Sequence, residues 1–387
     1  MKKFIALILA AVMLCCCFTG CTGGSQEDTV MTVDGTAVSF DAYMAYLNQA
    51  VSELTDLYKS YSGTTVDWDG RFLFDDDLTN IDWCLKRATQ QAARYCVIEA
   101  KAKEAGISVT DEQMENIDAE IESIKSTYAT GDDPDTSLKA FFASYSYTED
   151  SYRKLCQLNY LYSGLFEEIY GEKGANLDEE IVQSYAEEND YVTSAHILLL
   201  TTRDVTDADG NTTSEELSDS EKAEKKAQAE EFVTELKAIS DDAARWERFK
   251  ELMNEYSEDP GLEQFPEGYC FTTGSMVDEY DSATRELDEY AVSDVVESDF
   301  GYHVIMRLPT KGTDLVSYYS GYQQMVVPLT YLAAPVEFDA DIGEWANDAE
   351  IKYTKLYESI DFSEFIEAEG FVFQSYEDYT AAKKEDK

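Results

Sequence analysis

The sequence predicts an α+β protein. A mostly helical region runs to about residue 190, and a segment in which helices cover a small antiparallel sheet follows it. Three observations predict this. Apolar residues recur at helical spacing early in the chain, as at Leu47, Val51, Leu54 and Tyr58. At Tyr191 the pattern changes to short apolar runs of strand type, "YVTSAHILLL" and "YHVIMRL", with amphipathic stretches between them. A length of 387 residues suggests two or three domains, and 44% hydrophobic residues are enough for packed cores.

The N-terminus reads as an address. Lys2 and Lys3 precede an unbroken apolar run from Phe4 to Phe18, too short for a membrane span and right for a signal-peptide core. The run closes in "FTGC", residues 18–21, which resembles the lipobox of bacterial lipoproteins. That resemblance implies cleavage after residue 20, acylation of Cys21, and a lipid anchor on the extracytoplasmic face of the cell membrane. Residues 21–29, with "TGGSQED", then form a flexible tether.

Residues 30–190 are expected to be a helical N-terminal domain. Val30 to Val33 reads as a strand, Asp34-Gly35 as a tight turn and Ser39 as a helix N-cap. A helix over about 81–105 stops at Gly106, and "TDEQ", 110–113, has the form of a capping box that starts another. "GDDPDTS", 131–137, reads as a loop, with helices after it at about 138–144, 149–170 and 178–189.

Residues 191–309 read as β-α-α-β-α-β-β. A polar insertion, "TTRDVTDADGNTTSEELSDSE", follows the first strand. Ala229, Phe232, Val233, Leu236 and Ile239 mark one amphipathic helix; Trp246, Phe249, Met253 and Tyr256 mark the next. A strand near Tyr269–Phe271, a helix bearing Val277, Tyr280 and Leu287, and the strand "YHVIMRL" complete the order. Residues 310–387 are expected to be a C-terminal helical segment with a loose end at "AAKKEDK".

Charge and cysteines exclude several classes. With 79 acidic and 30 basic residues the net charge is −49, so nucleic acid and anionic surfaces are poor partners. Cys84, Cys96, Cys156 and Cys270 lie far apart without a C-x-x-C, against a zinc knuckle or a thioredoxin-like site; buried free thiols are the simpler reading. "VTDADGNTTSEE", 205–216, nearly fits a calcium loop through Asp207, Asp209, Gly210 and Glu216. Its first ligand position is Val205, however, and Asp209-Gly210 is equally a hairpin turn, so no metal and no cofactor are expected.

The chain has only two histidines, His196 in "AHILL" and His303 in "SDFGYHVI". With "YSED" at 256–259 and "FTTGSMVDEY" at 271–280, these stretches fall in the order and spacing of the parvulin family of peptidyl-prolyl isomerases, which the segment 191–309 resembles. "GTAVSF", "AKEAGISVTDEQ" and "LDEEIVQSYAEEN" resemble the chaperone portions of PrsA-type and SurA-type foldases. The resemblance implies a helical chaperone domain beside a parvulin-like domain. It implies clients that are unfolded or newly exported polypeptides with X-Pro bonds; the oligomeric state is left open. His196 and His303 would form a hydrogen-bonded pair, Asp259 would face the substrate amide, and Ser298 would join the network. Phe271, Met276 and Tyr280 would line the proline pocket, with the Tyr280 hydroxyl on its rim.

Each of these residues also has a plain structural role open to it. Buried histidines need partners whether or not they catalyse, and an Asp before Pro260 caps loops. The family's Gly-Gly-Asp-Leu-Gly stretch is here "QFPEGYCF", which keeps only Gly268 and puts the depth of the pocket in doubt. The loop after the first strand has one arginine among acids, which argues against phosphoserine-proline targets. An inactive parvulin-like domain that only binds peptide is therefore the competing expectation.

Overall fold

The structure is a computed structural model that describes residues 27–385 except 207–209, 321–322 and 368–369. The expected signal segment, Cys21 and most of the tether lie outside the described residues. Contacts divide the chain into two compact units. One takes the residues up to Ile169 together with Phe338–Lys387; the other is Tyr170–Glu337.

In the first unit, the strand Thr29–Val33 pairs with Thr36–Ser39 on one side and with Ile351–Tyr353 on the other, both antiparallel. Ser39 then caps the helix Phe40–Tyr61 by accepting from the Ala42 amide. The face carrying Tyr43, Tyr46, Leu47, Ala50, Val51 and Leu54 is buried, largely against the helix Asn80–Glu104. Thr79 and Asp82 close a capping box at the start of that second helix, and Thr110 with Gln113 do the same for Asp111–Tyr128. Between the first two helices stands a hairpin, Arg71–Phe72 with Asp75–Thr79, which helical periodicity does not reveal.

Two boundaries differ from expectation. The loop expected over 131–137 ends early, because Pro134 opens the helix Pro134–Ser144. Asp133 caps it by accepting from the Thr136 amide, and proline loses nothing in a first turn whose N–H groups lack helical partners. Residues 310–387 are not simply helical. They begin with the strands Leu315–Ser320 and Gln323–Pro328, and only then comes the helix Leu329–Asp348.

The second unit is built on a six-stranded sheet. Its order is Gln323–Pro328, Leu315–Ser320, Tyr269–Phe271, Val192–Leu200, Gly301–Leu308 and Val296–Glu297. The hairpin joins through a parallel pairing, Val316 opposite Cys270. It thereby covers a strand edge that would otherwise present unpaired backbone groups. The two central strands run antiparallel with Ile305 opposite His196 and His303 opposite Leu198.

Side chains alternate along both strands. Ala195, Ile197, Leu199, Val304, Met306 and Leu308 pack in one core with Phe232, Leu236, Phe249 and Met253 of the helices Asp219–Lys237 and Asp242–Tyr256. On the other face Val192 and Ile305 pack with Phe271 and with Tyr280 of the helix Asp278–Glu286. The α+β class expected from sequence is thus the class observed.

The polar insertion forms its own hairpin, Thr202–Thr206 with Thr212–Glu216. Asp207 and Asp209 of the calcium-like pattern lie outside the described residues. Cys84 and Cys270 are buried free thiols, as expected, whereas Cys96, expected to be one as well, is disulfide-bonded. Among the described residues, no helix is long and apolar enough to cross a membrane.

Candidate active site

Register brings the two histidines together. They sit diagonally across neighbouring antiparallel strands, two residues out of direct opposition, on the same face of the sheet. Their rings lie nearly parallel, 13° apart with centroids 5.2 Å from each other, and the two Nδ1 atoms are 3.0 Å apart. Nε2 of His196 is 2.9 Å from Oδ2 of Asp259, in the loop that follows the helix ending at Tyr256. Nε2 of His303 is 2.7 Å from Oγ of Ser298, in the turn that precedes its own strand. The Phe300 amide donates to that same Oγ at 3.2 Å.

With both rings neutral, Asp259 sets the proton order in this row. A carboxylate only accepts, so His196 donates from Nε2 and, as a neutral ring, accepts at Nδ1. His303 must then donate from Nδ1 and accept at Nε2, which makes Ser298 a donor. The row runs from the Phe300 amide through Ser298, His303 and His196 to Asp259, with all four ring nitrogens used. The Tyr269 hydroxyl donates to the same Oδ2 at 2.6 Å, and the Gly261 amide donates to Oδ1 at 3.0 Å.

The electrostatics agree with this assignment. Burial alone would raise the Asp259 carboxyl, but hydrogen bonds from His196, Tyr269 and the Gly261 amide outweigh it and hold the group down at about 2. His303 is lowered to about 3, first by burial and then by its neighbour His196, with Asp259 opposing. His303 is therefore neutral at neutral pH. Burial, and then the bond to Asp259, push the Tyr269 phenol well above its ordinary value.

The expected pocket residues divide by depth. Phe271 and Tyr280 are each only 3% exposed, with ring centroids 5.8 Å apart, whereas Met276 is half-buried. The Tyr280 hydroxyl, expected on a rim, is instead inside, 2.8 Å from Oγ of Ser194. Its ring meets both imidazoles edge-on, at 5.1 Å from His196 and 5.7 Å from His303. A buried phenol needs a polar partner, and Ser194 on the strand Val192–Leu200 supplies it.

Three residues were invisible to motif reasoning: Tyr269, Gly261 and Ser194. Tyr269 shares a strand face with Phe271 by period-two alternation, which is the one signal that could have drawn it into the site. Gly261 is required by proximity, since a Cβ there would lie 2.0 Å from the Tyr269 hydroxyl. Gly268, the glycine kept from the altered stretch, has φ +105 and a Cβ position 2.5 Å from the Ser194 carbonyl oxygen. The lone arginine of the following loop, Arg203, is engaged with Glu221 at 3.0 Å.

Residues 181–308 match the family model described as a PPIC-type PPIASE domain. Foldase protein PrsA of Oceanobacillus iheyensis is 26% identical over 223 residues, which is 57% of this chain and 60% of that protein. Foldase protein PrsA of Halalkalibacterium halodurans is 28% identical over 247 residues, 62% of this chain and 63% of that protein. The chain thus spans less than two thirds of the length of these curated relatives. The crystal structure of PrsA from Bacillus subtilis aligns with 84% of this chain and 88% of its own at 17% identity, with a TM-score of only 0.23. Residues 181–308 therefore belong to the parvulin, or PPIC-type, family of peptidyl-prolyl isomerase domains, within a chain similar to PrsA foldases.

Proposed function

We propose that the protein is a membrane-anchored, extracytoplasmic peptidyl-prolyl cis-trans isomerase and chaperone for exported polypeptides. Its acylated Cys21 would hold it at the membrane. The reaction needs neither a covalent intermediate nor a cofactor. An X-Pro bond is slow to isomerise because rotation breaks amide resonance, which places negative charge on the carbonyl oxygen. A fixed negative charge facing that oxygen disfavours the planar form more than the twisted one, where the charge separation is lost.

Asp259 is the group suited to this task. The observation that carries the proposal is the directed row of hydrogen bonds that ends on it, from Ser298, His303, His196 and Tyr269. Donation from His196, Tyr269 and the Gly261 amide keeps the carboxyl ionised although its side chain is only 10% exposed. Half-buried Met276 would contact the proline ring, backed by Phe271 and Tyr280.

One observation favours a second reading. Every polar atom of the histidine pair is satisfied internally, as a brace would also require. The domain would then only bind peptide. A proline-limited refolding assay separates the two. The expected result is acceleration by the wild type and a loss of about 10- to 100-fold in kcat/KM for Asp259→Asn, equivalent to about 1.4–2.7 kcal/mol. If the wild type accelerates refolding no more than buffer does, the isomerase reading fails and the peptide-binding one stands.

A further inference from the structure

The first unit carries an exposed aromatic surface. It lies on the hairpin Arg71–Phe72 with Asp75–Thr79. Tyr61 is 63% exposed, Phe74 51% and Leu73 38%. Tyr61 meets Phe74 edge-on at 5.2 Å, Phe74 meets Phe72 at 5.7 Å, and Phe72 stacks on Trp83 at 5.3 Å. The result is a continuous ladder of four aromatic rings, with Leu73 at the tip.

Local folding does not explain these residues. Phe72 pairs with Asp75, so Leu73 and Phe74 are the two central residues of a tight turn. Such turns favour Gly, Asn or Asp, in conformations with positive φ. Neither residue adopts positive φ, and neither buries its side chain. Two large apolar residues break the local rule without a gain in folding, which marks a surface kept for contact.

The base is firm. The Tyr58 hydroxyl bonds to the Arg71 carbonyl at 3.2 Å and to Oδ1 of Asn80 at 2.9 Å. The Asn80 amide nitrogens reach the Gly70 carbonyl at 3.0 Å and the Asp67 carbonyl at 2.7 Å. A ladder ordered in advance loses little entropy when it binds.

Charge around the ladder selects the partner. Asp67, Asp69, Asp75, Asp76 and Asp77 are all exposed. Among the described residues, no lysine or arginine side chain forms an ion pair with any of them. A second copy, also at net charge −49, would be repelled, and so would an anionic bilayer. An apolar segment flanked by lysine or arginine meets both demands.

We propose that this hairpin is a docking site for apolar polypeptide segments with cationic flanks, independent of proline. The test uses the whole folded chain and two labelled proline-free peptides with one Leu/Phe core, one flanked by lysines and the other by glutamates. Fluorescence anisotropy should show the lysine-flanked peptide binding at least about tenfold more tightly, with the preference shrinking at high salt. Leu73→Ser with Phe74→Ser should weaken that binding by about tenfold or more. Asp75→Asn, Asp76→Asn and Asp77→Asn together should narrow the gap between the peptides.

Equal binding of the two peptides, or unchanged affinity in the Leu73→Ser, Phe74→Ser protein, would overturn the proposal. So would a dimer in sedimentation, or binding to anionic vesicles, that this double variant abolishes. Isomerase turnover on a short X-Pro peptide, measured in parallel, should be unchanged in the variants. That readout shows that they are folded and keeps a failure here distinct from a failure of the isomerase reading.

Discussion

The histidine pair can be probed by its protons. His303 is held near 3 in the folded protein against an ordinary 6.5, because its imidazolium would be buried beside His196. The unfolded chain takes up a proton below pH 6.5 that the folded chain refuses until about pH 3. Stability from this group is therefore complete above pH 6.5 and is lost as the pH falls, by about 1.4 kcal/mol per pH unit. Asp259 acts in the same direction lower down, its contribution present above 3.8 and lost as pH falls through about 2. Glu99, raised to about 7 by burial with Lys154 opposing, has the opposite sign, its contribution being lost as pH rises. It is common to wild type and variant and cancels in their difference. The urea midpoint of His303→Gln is therefore expected to vary less between about pH 6.5 and 5 than that of the wild type. Parallel slopes would mean that His303 is not held neutral.

Strands and turns decide whether these residues meet. Tyr269 reaches Asp259 only because its short strand lies close along Val192–Leu200, with Ser194 opposite Tyr269. Gly268 permits that approach, with positive φ and no room for a Cβ beside the Ser194 carbonyl. Gly268→Ala is expected to cost about 2–4 kcal/mol and to detach Tyr269 from Asp259. Denaturant unfolding would measure the first effect, and a rise in the Asp259 carboxyl titration by NMR the second. A variant as stable as wild type would show that the strand can shift at little cost. The altered glycine stretch thus keeps the one position that the sheet geometry demands. The same strand shows why the C-terminal expectation of helix failed. "LVSYYS" and "QQMVVP" are short enough to suit either state locally, and the open edge at Cys270 makes them strands.

At the scale of the whole molecule, charge and anchoring go together. A net charge of −49 disfavours nucleic acid and anionic surfaces as partners, while the proposed lipid on Cys21 would fix the protein to a bilayer that such a charge does not favour. Replacing Cys21 is therefore expected to free the chain completely. In cell fractionation, Cys21→Ser should move the protein from the membrane to the soluble fraction, with isomerase turnover retained. Retention of the variant at the membrane would refute the lipid anchor. The units differ in how they were legible. Helical caps at Ser39, Thr79 and Thr110 act within three residues of themselves and were open to inspection or follow a local rule. The three-stranded sheet joins residues near Val30 to residues near Lys352, and no local pattern announces such a pairing.

By itself the sequence determined the α+β class, the change of grammar at Tyr191, and which side chains were candidates: His196, Asp259, Ser298, His303, Phe271, Met276 and Tyr280. The class and the change of grammar follow from periodicity and caps, which are properties of near neighbours along the chain; the candidate side chains are those that the resemblance to the parvulin family implies. Tertiary structure alone decided the partners. The 3.0 Å contact between the imidazoles depends on the register of two strands, and the Tyr269 bond to Asp259 on a glycine at 261. The depth of Tyr280, on a helix, depends on a serine of the central sheet, Ser194. Register and depth are set by packing between segments far apart in the chain, and a change of one residue in register turns every side chain to the other face.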